Sequence, residues 1–135
     1  MNREILCRGK RIDNGEWAYG NYVNCTGPDC QPNETRHYIV GYPNAWYEIY
    51  TSTLGECTGL RDRKGKRIWD GDILLFTNTD NEQSLYDVRW DYHRWLVQMH
   101  GDYSAMPDDL DECFCRYAEV IGNIYDNPEL LGGAE

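Results

Sequence analysis

The sequence predicts a mainly β protein, a small barrel or sandwich of antiparallel strands rather than parallel βαβ units. Three observations carry that expectation. The large side chains are mostly amphipathic, with 11 Tyr and 5 Trp against 2 Phe; such residues favour half-buried strand surfaces where an OH or NH finds a partner. Thirteen glycines and few Ala-Leu-Glu-Lys blocks point to many turns and little helix. Short apolar runs recur at intervals of roughly 8–15 residues, separated by Gly, Asn and Asp turn signals, the spacing of a β meander.

In chain order, residues 3–8 read as a first strand with Ile5 and Cys7 on one face. Asp13-Asn14-Gly15 is a hairpin turn. Residues 16–25 form a second strand, with Gly20 at a bulge or a point of close approach. A turn-rich loop over 26–35 leads to a strand at 37–42, and Pro43-Asn44 turns the chain into a β-prone segment at 46–50. The stretch 55–76, G-E-C-T-G-L-R-D-R-K-G-K-R-I-W-D-G-D-I-L-L-F, is the organising segment. Gly59 is expected to break the chain before a tight hairpin loop at 62–66, and Asp70-Gly71-Asp72 makes a second turn into a buried strand at 73–76. A polar loop covers 77–84. The most secure hairpin follows, with Tyr86, Val88 and Trp90 alternating on one strand and Trp95, Val97 and Met99 on its partner. Residues 101–112 are acidic and irregular, with one helical turn from Pro107. A final strand is expected over 113–124. Asn127, Pro128 and Glu129 then resemble an N-cap, a first-turn proline and a favourably placed acid at the start of a short helix, 128–131.

At 135 residues the chain suits one domain, or one domain with a small lobe, and can bury a core without staples. Its net charge of −10 is uneven: residues 1–67 hold 10 Lys/Arg against 8 Asp/Glu, and residues 68–135 hold 3 against 15. Such acidity argues against a protein that coats nucleic acid through phosphate contacts. One cationic patch stands out: Arg61, Arg63, Lys64, Lys66 and Arg67. The simplest account is a solvated hairpin tip that blocks edge pairing. The functional account is docking onto an acidic partner surface, including the acidic half of another copy. No stretch has the length and apolarity of a membrane span and the N-terminus lacks a signal-peptide core, so a cytoplasmic location without membrane partners is expected. The six cysteines are then thiols or metal ligands rather than disulfides.

Cys25 and Cys30, with His37 seven residues on, and the Cys113-Phe114-Cys115 pair are weak candidates for a zinc site. Four thiolates, or three and an imidazole, could hold the ion tetrahedrally. The spacings are poor, since i, i+2 thiols on a strand diverge, so independent thiols are the default and no cofactor is expected. His93 and His100 read as turn and strand-end residues. Asp70 and Asp72 resemble a carboxylate pair, but the turn explains them as caps of local backbone N–H groups. No phosphate-binding glycine loop, G-x-S-x-G or H-E-x-x-H is present. No catalytic residue is assigned and the chain is read as a non-enzyme.

Three segments together resemble the YopX family, small proteins carried by phages and prophages: R-G-K-R-I-D-N-G-E-W-A-Y-G at 8–20, C-T-G-L-R-D-R-K-G-K-R-I-W-D-G-D-I-L at 57–74, and E-V-I-G-N-I-Y-D-N-P-E-L-L at 119–131. The central pattern is long and specific. The resemblance implies a small SH3-like β-barrel over 55–135 with a short C-terminal helical turn, preceded by an N-terminal β lobe over 1–54. It also implies phage or prophage origin and self-association as a homo-oligomer, and it brings no catalytic residues. Cys7 and Cys57 stand where the family tends to place an aromatic, and Glu56 where it usually has Gln, so those two thiols read as packing substitutions. The leading expectation is a non-enzymatic interaction module that binds itself or a host or phage protein. A nucleic-acid role ranks second, through the basic hairpin or through acidic mimicry of DNA. A zinc protein or enzyme ranks third.

Overall fold

The computed structural model describes residues 6–25, 36–41, 45–91, 93–100 and 106–131. The start of the expected first strand, the 26–35 loop with Cys30, the Pro43-Asn44 turn and residues 101–105 lie outside that description, as does the side chain of Cys25. The protein is mainly β, with two antiparallel sheets that are not closed into a barrel among the described residues. The chain divides into two compact units, Met1–Cys57 and Thr58–Glu135.

The first unit is built from β1 (Cys7–Lys10), β2 (Trp17–Cys25), β3 (Arg36–Gly41) and β4 (Ala45–Glu48). The beginning of β5 (Gly55–Arg61) completes its sheet, in the order β4-β3-β2-β1-β5. The Asp-Asn-Gly turn joins β1 to β2 in the register Cys7↔Gly20 to Lys10↔Trp17, as its sequence requires. Gly20 is a point of close approach: a Cβ there would lie 2.2 Å from the Val40 carbonyl oxygen. Cys7, Ala18, Ile39 and Ile49 form the core, flanked by Tyr22, Tyr47 and Leu54. Cys7 is thus an apolar filler. Burial and then the nearby Glu56 charge push its thiol up from the ordinary range.

In the second unit the end of β5 lies beside β6 (Arg67–Trp69). The sheet proper contains β7 (Asp72–Thr77), β8 (Gln83–Asp91), β9 (Arg94–Met99), the two-residue β10 (Asp108–Asp109) and β11 (Ala118–Asn123), in the order β10-β9-β8-β7-β11. The β8–β9 hairpin pairs Tyr86↔Met99, Val88↔Val97 and Trp90↔Trp95, so the six residues of the alternating pattern share one face. Ile68, Leu74, Tyr86, Val88, Val97, Leu110, Cys115 and Ala118 make the core. Gly71 turns the chain between β6 and β7 at φ +87°, and a Cβ there would meet the Tyr125 ring at 3.0 Å. Asp72 is 2% exposed and accepts from the Trp69 backbone N–H at 2.7 Å, the local capping role expected of this turn.

Three expectations are corrected in this unit. Gly59 does not break the chain; it lies inside β5. Cys113 and Cys115 do not lie on a strand: Glu112–Cys115 is one turn of α-helix, α1, and the last strand begins only at Ala118. The cause is Asp111, whose carboxylate accepts from the Phe114 backbone N–H at 2.9 Å, with Glu112 in the first turn on the positive end of the backbone dipoles. The helical turn expected from Pro107 is absent there: Asp108–Asp109 is β10, and the helix starts at Glu112. Pro128–Leu131 is a 3-10 turn, close to the short helix expected there.

Candidate functional site

The cationic hairpin is held by one carboxylate. Asp62, 6% exposed, accepts through Oδ1 from the backbone N–H groups of Lys64 (2.9 Å) and Lys66 (2.8 Å). Its Oδ2 accepts from Val120 N–H of β11 at 2.9 Å. The main chain closes the loop: Asp62 N donates to Lys66 O (2.8 Å), Gly65 N to Asp62 O (2.9 Å) and Arg63 N to Ala118 O (3.0 Å). A buried carboxylate with three N–H donors needs no cation beside it. Asp62 therefore fixes the turn and fastens it to β11.

The five cations consequently have different surroundings. Lys64 Nζ lies 2.5 Å and Arg63 3.5 Å from the Glu119 carboxylate. The Lys64 hydrogen bond, first, and the neighbouring Arg63 charge hold the Glu119 carboxyl below the usual range. Arg61 donates to the Gly65 carbonyl at 2.8 Å, while Lys66 and Arg67 are exposed without an ion pair among the described residues. An open groove of about 530 Å³ runs between residues 59–63 and α1, where Glu112, Cys115 and Arg116 line it. Arg116 and Glu119 were not singled out from the sequence. They lie some fifty residues from the hairpin, and no local pattern links them to it. Asp62 did carry a signal, an Asp followed by turn residues and glycine, the pattern of a side chain accepting from backbone two residues on.

Of the expected metal candidates, Cys30 and the side chain of Cys25 lie outside the described residues. His37 sits in β3 of the first unit, its ring stacked on Tyr22 (5.8 Å between centroids, 9° between planes) with the Tyr22 hydroxyl 2.5 Å from Nδ1. In the second unit Cys113 is exposed and Cys115 buried in the core, both free thiols. Burial, and then the charges of Asp111, Asp62 and Glu112, push the Cys115 thiol up to about 11, so it is neutral and inert near pH 7. Among the described residues no group of three or more His, Cys, Asp or Glu side chains could hold a metal ion. Also among them, no helix is long and apolar enough to cross a membrane.

These features define a small two-unit antiparallel β protein with a rigid, carboxylate-anchored hairpin. The sequence profile described as YopX protein matches residues 8–132, and the chain belongs to the YopX family. Its fold is similar to protein EF1440 from Enterococcus faecalis (TM-score 0.56, 18% identity, 96% of this chain and 99% of that one). It is also similar to protein yopX from Bacillus subtilis (TM-score 0.54, 20% identity, 93% of this chain and 96% of that one). At these identities the likeness is one of fold. No curated protein matches the sequence.

Proposed function

We propose that the protein is a non-enzymatic accessory protein of a phage or prophage, acting in the host cytoplasm as an interaction module that associates with itself. The observation that carries this reading is the division of labour in the central hairpin. Asp72, of the Asp70 and Asp72 pair a catalytic reading would recruit, accepts from a backbone N–H group, and Asp62 accepts from three, while Lys66 and Arg67 are exposed on a hairpin that is already ordered. An ordered surface loses less entropy on docking, and cations on an acidic protein suit an acidic protein partner, another copy included. We read the second unit as an SH3-type small barrel in its connectivity: β7 to β10 form a meander, and β11 returns to pair with β7.

Sedimentation velocity at low salt across a concentration series tests self-association. The expected result is a rise in average mass at high-micromolar protein that reverses as salt is added. A monomer throughout rejects the reading.

A further inference from the structure

Two charged features of the second unit carry side chains without an ion pair among the described residues. The groove beside α1 presents Arg61 and Arg116, and neither has an ion pair among the described residues. Glu112 shares its wall. The second feature is the hairpin tip between β7 and β8, over 78–82. The side-chain oxygen of Asn78 accepts from the backbone N–H groups of Asp80 and Glu82, both at 2.9 Å. Asn78 N donates to Glu82 O (2.9 Å) and Asn81 N to Asn78 O (3.0 Å), with Asn81 at φ +63°. These bonds fix the tip and leave the carboxylates of Asp80 and Glu82 exposed, again without an ion pair among the described residues. The two features are neighbours. Thr77 N donates to Tyr117 O at 3.0 Å, which sets the base of the tip against the residue following Arg116.

We propose that this acidic tip of one copy docks in the arginine groove of a second copy and receives the second copy's tip in return. The proposal rests on the self-association reading and names its surface. Three physical points support it. Guanidinium groups match carboxylates in a planar, two-pronged geometry that a solvated lysine does not offer. A surface carrying both the groove and its complement side by side is self-complementary, as a two-fold contact requires. The tip is held by its own hydrogen bonds before binding, so docking orders little chain. The unit supplies the right occupant too: residues 58–135 hold 8 Lys/Arg against 16 Asp/Glu, so carboxylates are in excess over cations.

Charge exchange on the full-length protein tests this. R61E/R116E reverses the groove, and D80K/E82K reverses the tip while keeping the backbone N–H donors that Asn78 holds. Each variant alone should self-associate at least about tenfold more weakly than the wild type, and a one-to-one mixture of the two should recover the association. If the wild type associates and neither variant differs from it, the groove and tip are overturned while self-association stands. If the wild type stays monomeric at high-micromolar concentration and low salt, both fall. A labelled single-stranded oligonucleotide bound by the wild type, released by R61E/R116E and accompanied by no self-association, would place a phosphate chain in the groove and overturn the proposal. Should a reversal variant lose its strand circular dichroism, R61Q/R116Q carries the same test: about tenfold weaker association is expected, and unchanged association overturns it.

Discussion

Replacing Asp62 by alanine should destabilise the second unit by about 2–5 kcal/mol. The carboxylate accepts three backbone N–H bonds, and charge-assisted bonds contribute roughly 1.5–3 kcal/mol each when counted singly. They do not add in full. The Lys64 and Lys66 amides belong to exposed residues and can turn to water, so their loss costs about 0.5–1 kcal/mol each. The Val120 amide lies in a half-buried strand residue, where an unpaired donor costs about 1–3 kcal/mol. An asparagine side chain at this position keeps a single oxygen acceptor and turns its amide nitrogen toward one of the N–H donors, so D62N should fall between wild type and D62A. Urea unfolding followed by the fluorescence of the tryptophans at 69, 90 and 95 reads the loss as a shift of midpoint at constant slope. Hydrogen exchange at the Val120 amide reads it locally. A D62A protein within about 0.5 kcal/mol of wild type, the range of an ordinary surface substitution, would refute this account of the hairpin.

Cys113 should react with a thiol reagent at pH 8 in the folded protein, and Cys115 only after unfolding; equal rates would place Cys115 at the surface. The raised Cys115 thiol binds its proton more tightly folded than unfolded, so its effect on stability is flat below about pH 9 and turns unfavourable as pH rises toward about 11. The same direction holds for Cys7, and a stability profile that rises over this window contradicts both. Glu119, held low by Lys64, stabilises the fold above its ordinary range near 4.5, and that contribution is lost as pH falls through its depressed value. Carboxyl NMR should show its midpoint below 4.5 and moving up in K64A; no movement would assign the shift elsewhere. G71A combines a positive φ with a 3.0 Å approach to Tyr125 and should cost about 1–3 kcal/mol in chemical unfolding, whereas a neutral result would mean the turn relaxes freely.

Much of the architecture was legible because its cues are local. Asp-Asn-Gly set the β1–β2 turn, and strict alternation put Tyr86, Val88 and Trp90 opposite Met99, Val97 and Trp95. The central motif marked the entry into β7 through Asp70-Gly71-Asp72. Reading failed where a side chain acts through geometry rather than type. Gly59 carries a turn residue's signal and does take a positive φ of +82°, yet β5 runs through it. Cys113-Phe114-Cys115 alternates like a strand, yet Asp111 caps it as helix. The site was less legible than the fold. The five cations were visible, but their sorting was not: Glu119, which neutralises the tip on one side, and Arg116, which extends it into the groove, come from distant sequence. Only the folded chain brings β11 and α1 to the hairpin.

Asp62 has a consequence for how freely the hairpin can change. Its bonds reach Lys64, Lys66 and Val120 through main-chain amides, so the turn is indifferent to which side chains stand at 64 and 66, provided neither is proline. The inward half of the loop seals the Ala118 and Val120 positions of β11 against a further strand, and the outward half can be rewritten without breaking that seal. The charges at these two positions can therefore be exchanged while the edge of β11 beneath stays sealed. In this protein the adaptable surface and the fixed frame share the same few residues, divided between side chain and backbone.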